Sequence, residues 1–151
     1  TKRELFSEES NYSIMTKEEI IQQLSGIGLK ITPQRMVILE AIHALKHHPT
    51  ADDIINYIKR QNLSIAKGTV YKILHVLVEK ELIAKVGTEE DVMRYDGRTD
   101  HHHHLYDASS GLIEDFVDDE LDELLRDYFE KKKLPDFIIE EMALQIKGTF
   151  K

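Results

Sequence analysis

The chain contains no cysteine. That absence excludes disulfides, thiolate zinc sites and thiol redox chemistry, and leaves histidine, methionine or a bound metal as the means of sensing an oxidant. Long apolar runs are also missing. No stretch approaches the roughly 20 residues of a transmembrane helix, and no signal peptide precedes the first charged segment, so a soluble cytoplasmic protein without a membrane partner is expected. An overall positive charge, the usual mark of a phosphate binder, is lacking too, since the net charge is −8. The deficit is unevenly spread. Residues 1–98 carry 14 Lys and Arg against 14 Asp and Glu, whereas residues 99–151 carry 6 against 14. Two domains would show this asymmetry if only the first approached phosphate. At 151 residues and 41% hydrophobic content the chain has material for one medium domain or two small ones.

What the chain does have is a run of four histidines, His101 to His104, with Asp100 before it and Asp107 after it. Leu105-Tyr106 follows, then a Ser-Ser-Gly turn, then Leu112-Ile113 and Phe116-Val117, the pattern of a β-hairpin whose first arm holds the histidines. Side chains alternate faces along a strand, so His102 and His104 share one side and His101 and His103 the other. The bland alternative is a solvated polar edge; a purification tag would not sit inside a β-patterned segment. A first-row transition metal is the ligand that this composition most readily explains.

The first half reads as successive short helices. Thr16 and Glu19 form a capping box ahead of Ile20, Ile21 and Leu24, with Gly28 at the end. Thr32-Pro33 opens a second helix carrying Val37, Ile38, Ala41, Ile42 and Leu45. Pro49-Thr50 opens a third, with Asp52 and Asp53 in its first turn and Ile54, Ile55 and Ile58 facing inward. A fourth spans about Lys67 to Lys80, and Leu82–Val86 with Val92–Tyr95 then form a hairpin. Helices followed by a hairpin are the order of a winged helix, and the fourth helix is the candidate reader of the major groove. Lys67 and Lys72 suit phosphates, and Thr69, Tyr71 and His75 suit base edges or backbone oxygens. An ordinary solvated helix face is the alternative.

Ile31-Thr32-Pro33-Gln34-Arg35, His48-Pro49-Thr50-Ala51-Asp52-Asp53-Ile54, Gly68-Thr69-Val70-Tyr71-Lys72-Ile73-Leu74, Tyr95-Asp96 and the His-x-His of the second hairpin together resemble the ferric uptake regulator superfamily, from about Thr16 to Gly148. Within it the chain is most similar to the peroxide-stress repressors. The resemblance implies an α+β protein with an N-terminal winged helix-turn-helix domain (1–95, including an N-terminal extension), a hinge (96–100) and a small C-terminal α/β dimerisation domain (101–151). It further implies a homodimer on double-stranded operator DNA, with Arg35 added to the DNA-contacting residues.

By resemblance, the regulatory metal ligands are His48, Asp96, His102, His104 and Asp115. Aspartate at both 96 and 115 matches the peroxide-sensing pattern, whereas iron-uptake regulators commonly carry glutamate at one or both. Such an imidazole and carboxylate set suits Fe²⁺ or Mn²⁺, and also Zn²⁺. The family further implies that peroxide acting at Fe²⁺ oxidises a ligand histidine, here His48 or His102, while Mn²⁺ supports repression without that reaction.

Departures from the family pattern carry their own expectations. The structural zinc site of two Cys-x-x-Cys pairs is missing, with Asp107 and Ser110 at the first pair's positions, so no structural Zn²⁺ is expected and the second domain should rely on packing alone. Met142 stands where a second regulatory site often has a histidine in the last strand, which argues against such a site. Ala66 replaces the usual capping serine before the recognition helix. His101 and His103 receive no family role and could take up adventitious metal. The acidic stretch Val117 to Lys133 reads as a helix, and Phe137–Ile139 and Leu144–Ile146 as a final strand or pair. The alternative functions are a regulator of iron, manganese or zinc supply and, from another class, a non-haem iron enzyme with a facial triad. The enzyme reading leaves the helix-and-wing half without a purpose.

Overall fold

The computed structural model describes residues 15–45, 48–87 and 92–151. The architecture is α+β, in two compact units, Thr1–Thr99 and Asp100–Lys151. The tip of the expected wing, around residues 88–91, lies outside the described residues.

The first unit contains α1 (Lys17–Gly26), α2 (Pro33–Ala44), α3 (Ala51–Arg60), α4 (Lys67–Glu79), β1 (Ala84–Val86) and β2 (Arg94–Asp96). Its helix starts follow the expected capping chemistry. The Thr16 hydroxyl accepts from the Glu19 N–H, and the Glu19 carboxylate accepts from the Thr16 N–H, both at 3.2 Å. Thr50 and Asp53 repeat that reciprocal box at α3, and Thr32 caps α2 with Pro33 in its first turn. Each box satisfies two donors that an open helix end would leave without partners. α4 is the exception: Ala66 offers no side-chain cap. Ile20, Leu24, Ile38, Leu39, Ile54, Ile58, Val70, Leu74, Leu77 and Ile83 form a continuous buried core. The exposed faces of the helices are therefore left for polar work.

β1 and β2 pair antiparallel, with Lys85 opposite Tyr95. β2 has a second neighbour: the Tyr95 N–H donates to the Pro49 carbonyl at 2.9 Å, and Thr50 bridges Arg94. The segment that starts α3 is thereby tied to the second strand of the wing.

The second unit contains β3 (His103–Asp107), β4 (Ile113–Phe116), α5 (Asp119–Lys132) and β5 (Gln145–Gly148). β3 is central, antiparallel to β4 and parallel to β5. His104 pairs with Asp115 across the β3–β4 register. Residues 137–139 do not form the strand expected of them. Phe137 and Ile138 are exposed, and the final strand begins only at Gln145. Met142 lies before that strand rather than in it.

Reliance on packing alone is also corrected. Asp107, buried at the end of β3, accepts through Oδ1 from the Ser109 N–H (2.8 Å), the Ser109 hydroxyl (2.6 Å) and the Ser110 N–H (3.3 Å), and through Oδ2 from the Phe150 N–H (3.2 Å). One carboxylate closes the hairpin turn and fastens the end of the chain to it. Packing is in fact sparse here, since α5 buries none of its residues.

Candidate metal centre

In the first unit, His48 and Asp96 are both buried, and His48 Nε2 lies 3.1 Å from Asp96 Oδ2. The local fold brings them together. Pairing of β2 with the 49–50 segment sets the last residue of β2 beside the residue that precedes Pro49. His48 adopts the left-handed region at φ 59°, a conformation that a non-glycine residue holds only when its surroundings impose it. The Arg94 guanidinium, donating to the His48 carbonyl at 3.1 Å, is one such restraint. Asp96 Oδ1 accepts from the Arg98 N–H at 2.8 Å, which orients the carboxylate.

In the second unit, His102, His104 and Asp115 converge. The two Nε2 atoms are 3.1 Å apart, and Asp115 Oδ1 is 3.3 Å from His102 Nε2 and 3.6 Å from His104 Nε2. His102 Nδ1 lies 2.6 Å from the Asp100 carbonyl, which can only accept, so Nδ1 carries the proton of the neutral ring and Nε2 the lone pair. A lone pair that converges with a second imidazole nitrogen and a carboxylate makes a donor set suited to a divalent cation.

The other face of β3 gathers a second group that sequence reasoning left without a role. His101 Nε2 (2.9 Å) and His103 Nε2 (2.6 Å) both meet Asp122 Oδ1 on α5, and His101 Nδ1 reaches Glu141 at 3.4 Å. Their ligand atoms are close enough to share a metal. The hydrogen bonding of His103 weighs against ligation in this arrangement. Its Nδ1 accepts from the Leu144 N–H at 2.9 Å, which places the ring proton on Nε2, directed at Asp122. Ligation through Nε2 would require His103 to exchange its bond with Leu144 for another. The bond to Asp122 raises the pKa of His101, and bonds from His101 and then His103 lower that of Asp122. Alternation along the strand foretold the shared face; nothing in the sequence announced Asp122, 19 residues from His103.

His43 lies in the last turn of α2. Burial lowers its pKa against the opposing influence of Asp96 and then Glu19.

The residues expected at DNA divide differently. Lys67, Thr69, Tyr71, Lys72 and His75 are all exposed on α4. Lys67 Nζ is 3.4 Å from Asp52, and His75 is 3.4 Å from Glu79, exposed pairs that DNA phosphates could displace at little cost. Arg35 is half-buried and donates to the Lys30 carbonyl at 2.7 Å, so it braces the start of α2.

Comparison with known proteins agrees with this architecture. The model of the ferric uptake regulator family matches residues 26–146. The peroxide-responsive repressor PerR of Staphylococcus aureus is 30% identical over 134 residues, covering 89% of this chain and 88% of that protein. Among solved structures, the peroxide stress regulator of Campylobacter jejuni is 27% identical at a TM-score of 0.66, covering 88% of this chain and 97% of that one. The ferric uptake regulator Fur of Vibrio cholerae aligns with a TM-score of 0.71 at 22% identity, covering 85% and 98%, a likeness of fold.

Proposed function

The chain belongs to the ferric uptake regulator family, whose members are metal-dependent transcriptional regulators and not enzymes, and on that premise we propose that it is a peroxide-sensing repressor. In this reading a homodimer binds double-stranded operator DNA through α4, with Lys67 and Lys72 on phosphates and Thr69, Tyr71 and His75 nearer the bases. Arg35 would serve at the edge of that surface. The exposed apolar residues Leu124, Tyr128 and Ile146 support the assignment of dimerisation to the second unit.

The observation that carries the metal reading is the convergence of His102, His104 and Asp115, with the His102 lone pair directed into the group. We assign His48 and Asp96 to the same ion, which gives three imidazoles and two carboxylates. Fe²⁺, Mn²⁺ and Zn²⁺ all accept such donors. When bound, Fe²⁺ supplies the redox chemistry that activates peroxide, which Mn²⁺ and Zn²⁺ lack.

The protein's own part is to hold imidazole carbons within reach of that chemistry. The net change is insertion of one peroxide oxygen at an imidazole C–H of His48 or His102, with water as the other product. A modified ring would no longer serve as a ligand, and the ion would lose one of the donors assigned to it. A coupling of about 1–3 kcal/mol between metal and DNA, or roughly 5–150-fold in operator affinity, is typical of such linkage.

The similarity to the PerR proteins supports peroxide as the signal over metal supply alone. Peptide mass spectrometry of Fe²⁺-loaded protein before and after a low dose of hydrogen peroxide, with Mn²⁺-loaded protein as control, tests it. Addition of one oxygen to His48 or His102 in the iron form alone is the expected result. No addition to any histidine would make the chain a regulator of metal supply.

A further inference from the structure

Gly97 follows Asp96 directly, and its backbone lies against the imidazole of His43. A Cβ on Gly97 would stand 2.7 Å from Cε1, 2.9 Å from Nδ1 and 3.4 Å from Nε2 of that ring. Carbon atoms at ease are separated by about 3.5–4.0 Å. No larger residue therefore fits at 97 while His43 keeps its place. The requirement is one of room alone, because Gly97 is not among the residues with positive φ. The Nε2 of that half-buried ring has no hydrogen-bond partner, a condition that calls for an explanation.

The backbone at 97 also controls the carboxylate before it. The Arg98 N–H holds Asp96 Oδ1 at 2.8 Å, so the path of the chain through 97 sets where that donor points. His48 takes the other oxygen at 3.1 Å. We propose that His43 is a positioning residue for Asp96: its flat ring is the backstop on which Gly97 rests, and the close fit fixes the turn that aims the Asp96 carboxylate. The proposal rests on the reading of Asp96 as a metal ligand.

The test is a cycle of full-length variants, Gly97→Ala, His43→Ala, the two combined, and Asp96→Asn, each titrated calorimetrically with Mn²⁺ and melted without metal. Gly97→Ala should weaken Mn²⁺ binding by about 10–100-fold, the usual effect of disturbing a group that orients a ligand, and the metal-free Tm should fall as well because the contact with His43 is overpacked. Combining it with His43→Ala removes the ring and should recover most of the affinity. Gly97→Ala binding as tightly as the parent protein overturns the proposal, and so does a double variant that binds no better than Gly97→Ala. If Gly97→Ala alone does not fold, a folded double variant that binds Mn²⁺ more tightly than Asp96→Asn sustains the proposal; a double variant that fails to fold, or binds no more tightly, overturns it. Undiminished binding by Asp96→Asn would instead remove Asp96 from the ligand set, and the reading on which the proposal rests would fall first.

Discussion

His102 and His103, neighbours in the chain, carry their ring protons on opposite nitrogens. The Asp100 carbonyl draws the proton of His102 to Nδ1, while the Leu144 N–H occupies Nδ1 of His103 and leaves its proton on Nε2. One ring is prepared to accept a cation and the other to donate to Asp122. Their substitutions should part company. His102→Ala should weaken Mn²⁺ binding by more than the about 10–100-fold typical of supporting residues, with the dimer intact. Undiminished affinity would take His102 out of the site.

His103→Ala should act chiefly on stability. The ring is fully buried, and its loss leaves a cavity and an N–H of Leu144 without its acceptor. A cost of about 2 kcal/mol or more follows, read by urea denaturation of the metal-free protein. A large fall in Mn²⁺ affinity at unchanged stability would show that His103 is a ligand after all.

The Asp107 carboxyl is held well below the usual carboxylate range, first by the Ser109 hydroxyl and then by the N–H groups of Phe150, Ser109 and Ser110, against the opposing effect of burial. A depressed folded pKa stabilises at pH values above the unfolded pKa of about 3.9, and the gain is lost as pH falls from there toward the folded value. Melting temperature should therefore drop more steeply with acid in the parent protein than in Asp107→Asn, which should start lower at neutral pH. Equal acid slopes would show that Asp107 does not make this contribution.

Ala66→Ser should supply the missing cap of α4 and stabilise the first unit by about 1 kcal/mol, measured by urea denaturation. No gain would mean that the turn before α4 cannot bring a hydroxyl to the open N–H groups.

Lys72→Ala should weaken operator binding and reduce the slope of log K against log salt by about one unit. A slope equal to that of the parent would take Lys72 off the phosphates.

Much of this was legible in advance because the signals were local. The Thr16–Glu19 box, Thr32-Pro33 and Thr50 each mark a helix start within four residues, and period-two alternation is enough to put His102 and His104 on one face. The contacts that escaped were distant in sequence or depended on shape. Asp122 meets His103 only because α5 returns over β3, and Gly97 meets His43 only through the tertiary fold. Phe137–Ile139 carried strand-like composition without becoming a strand. Three apolar residues in a row do not by themselves specify a strand: Phe137 and Ile138 stay exposed, and the final ladder on β3 is made by Gln145–Gly148 instead.

The carboxylate clasp at Asp107 has a consequence for what the molecule can respond to. A thiolate–zinc clasp in its place would act as a second fuse, vulnerable both to oxidants and to zinc scarcity. Carboxylate, hydroxyl and amide groups are neither stripped by a chelator nor consumed by peroxide. With no thiol anywhere in the chain, an oxidant is left with the histidines and methionines as its points of entry, and the fastening of the C-terminal hairpin is insulated from oxidants.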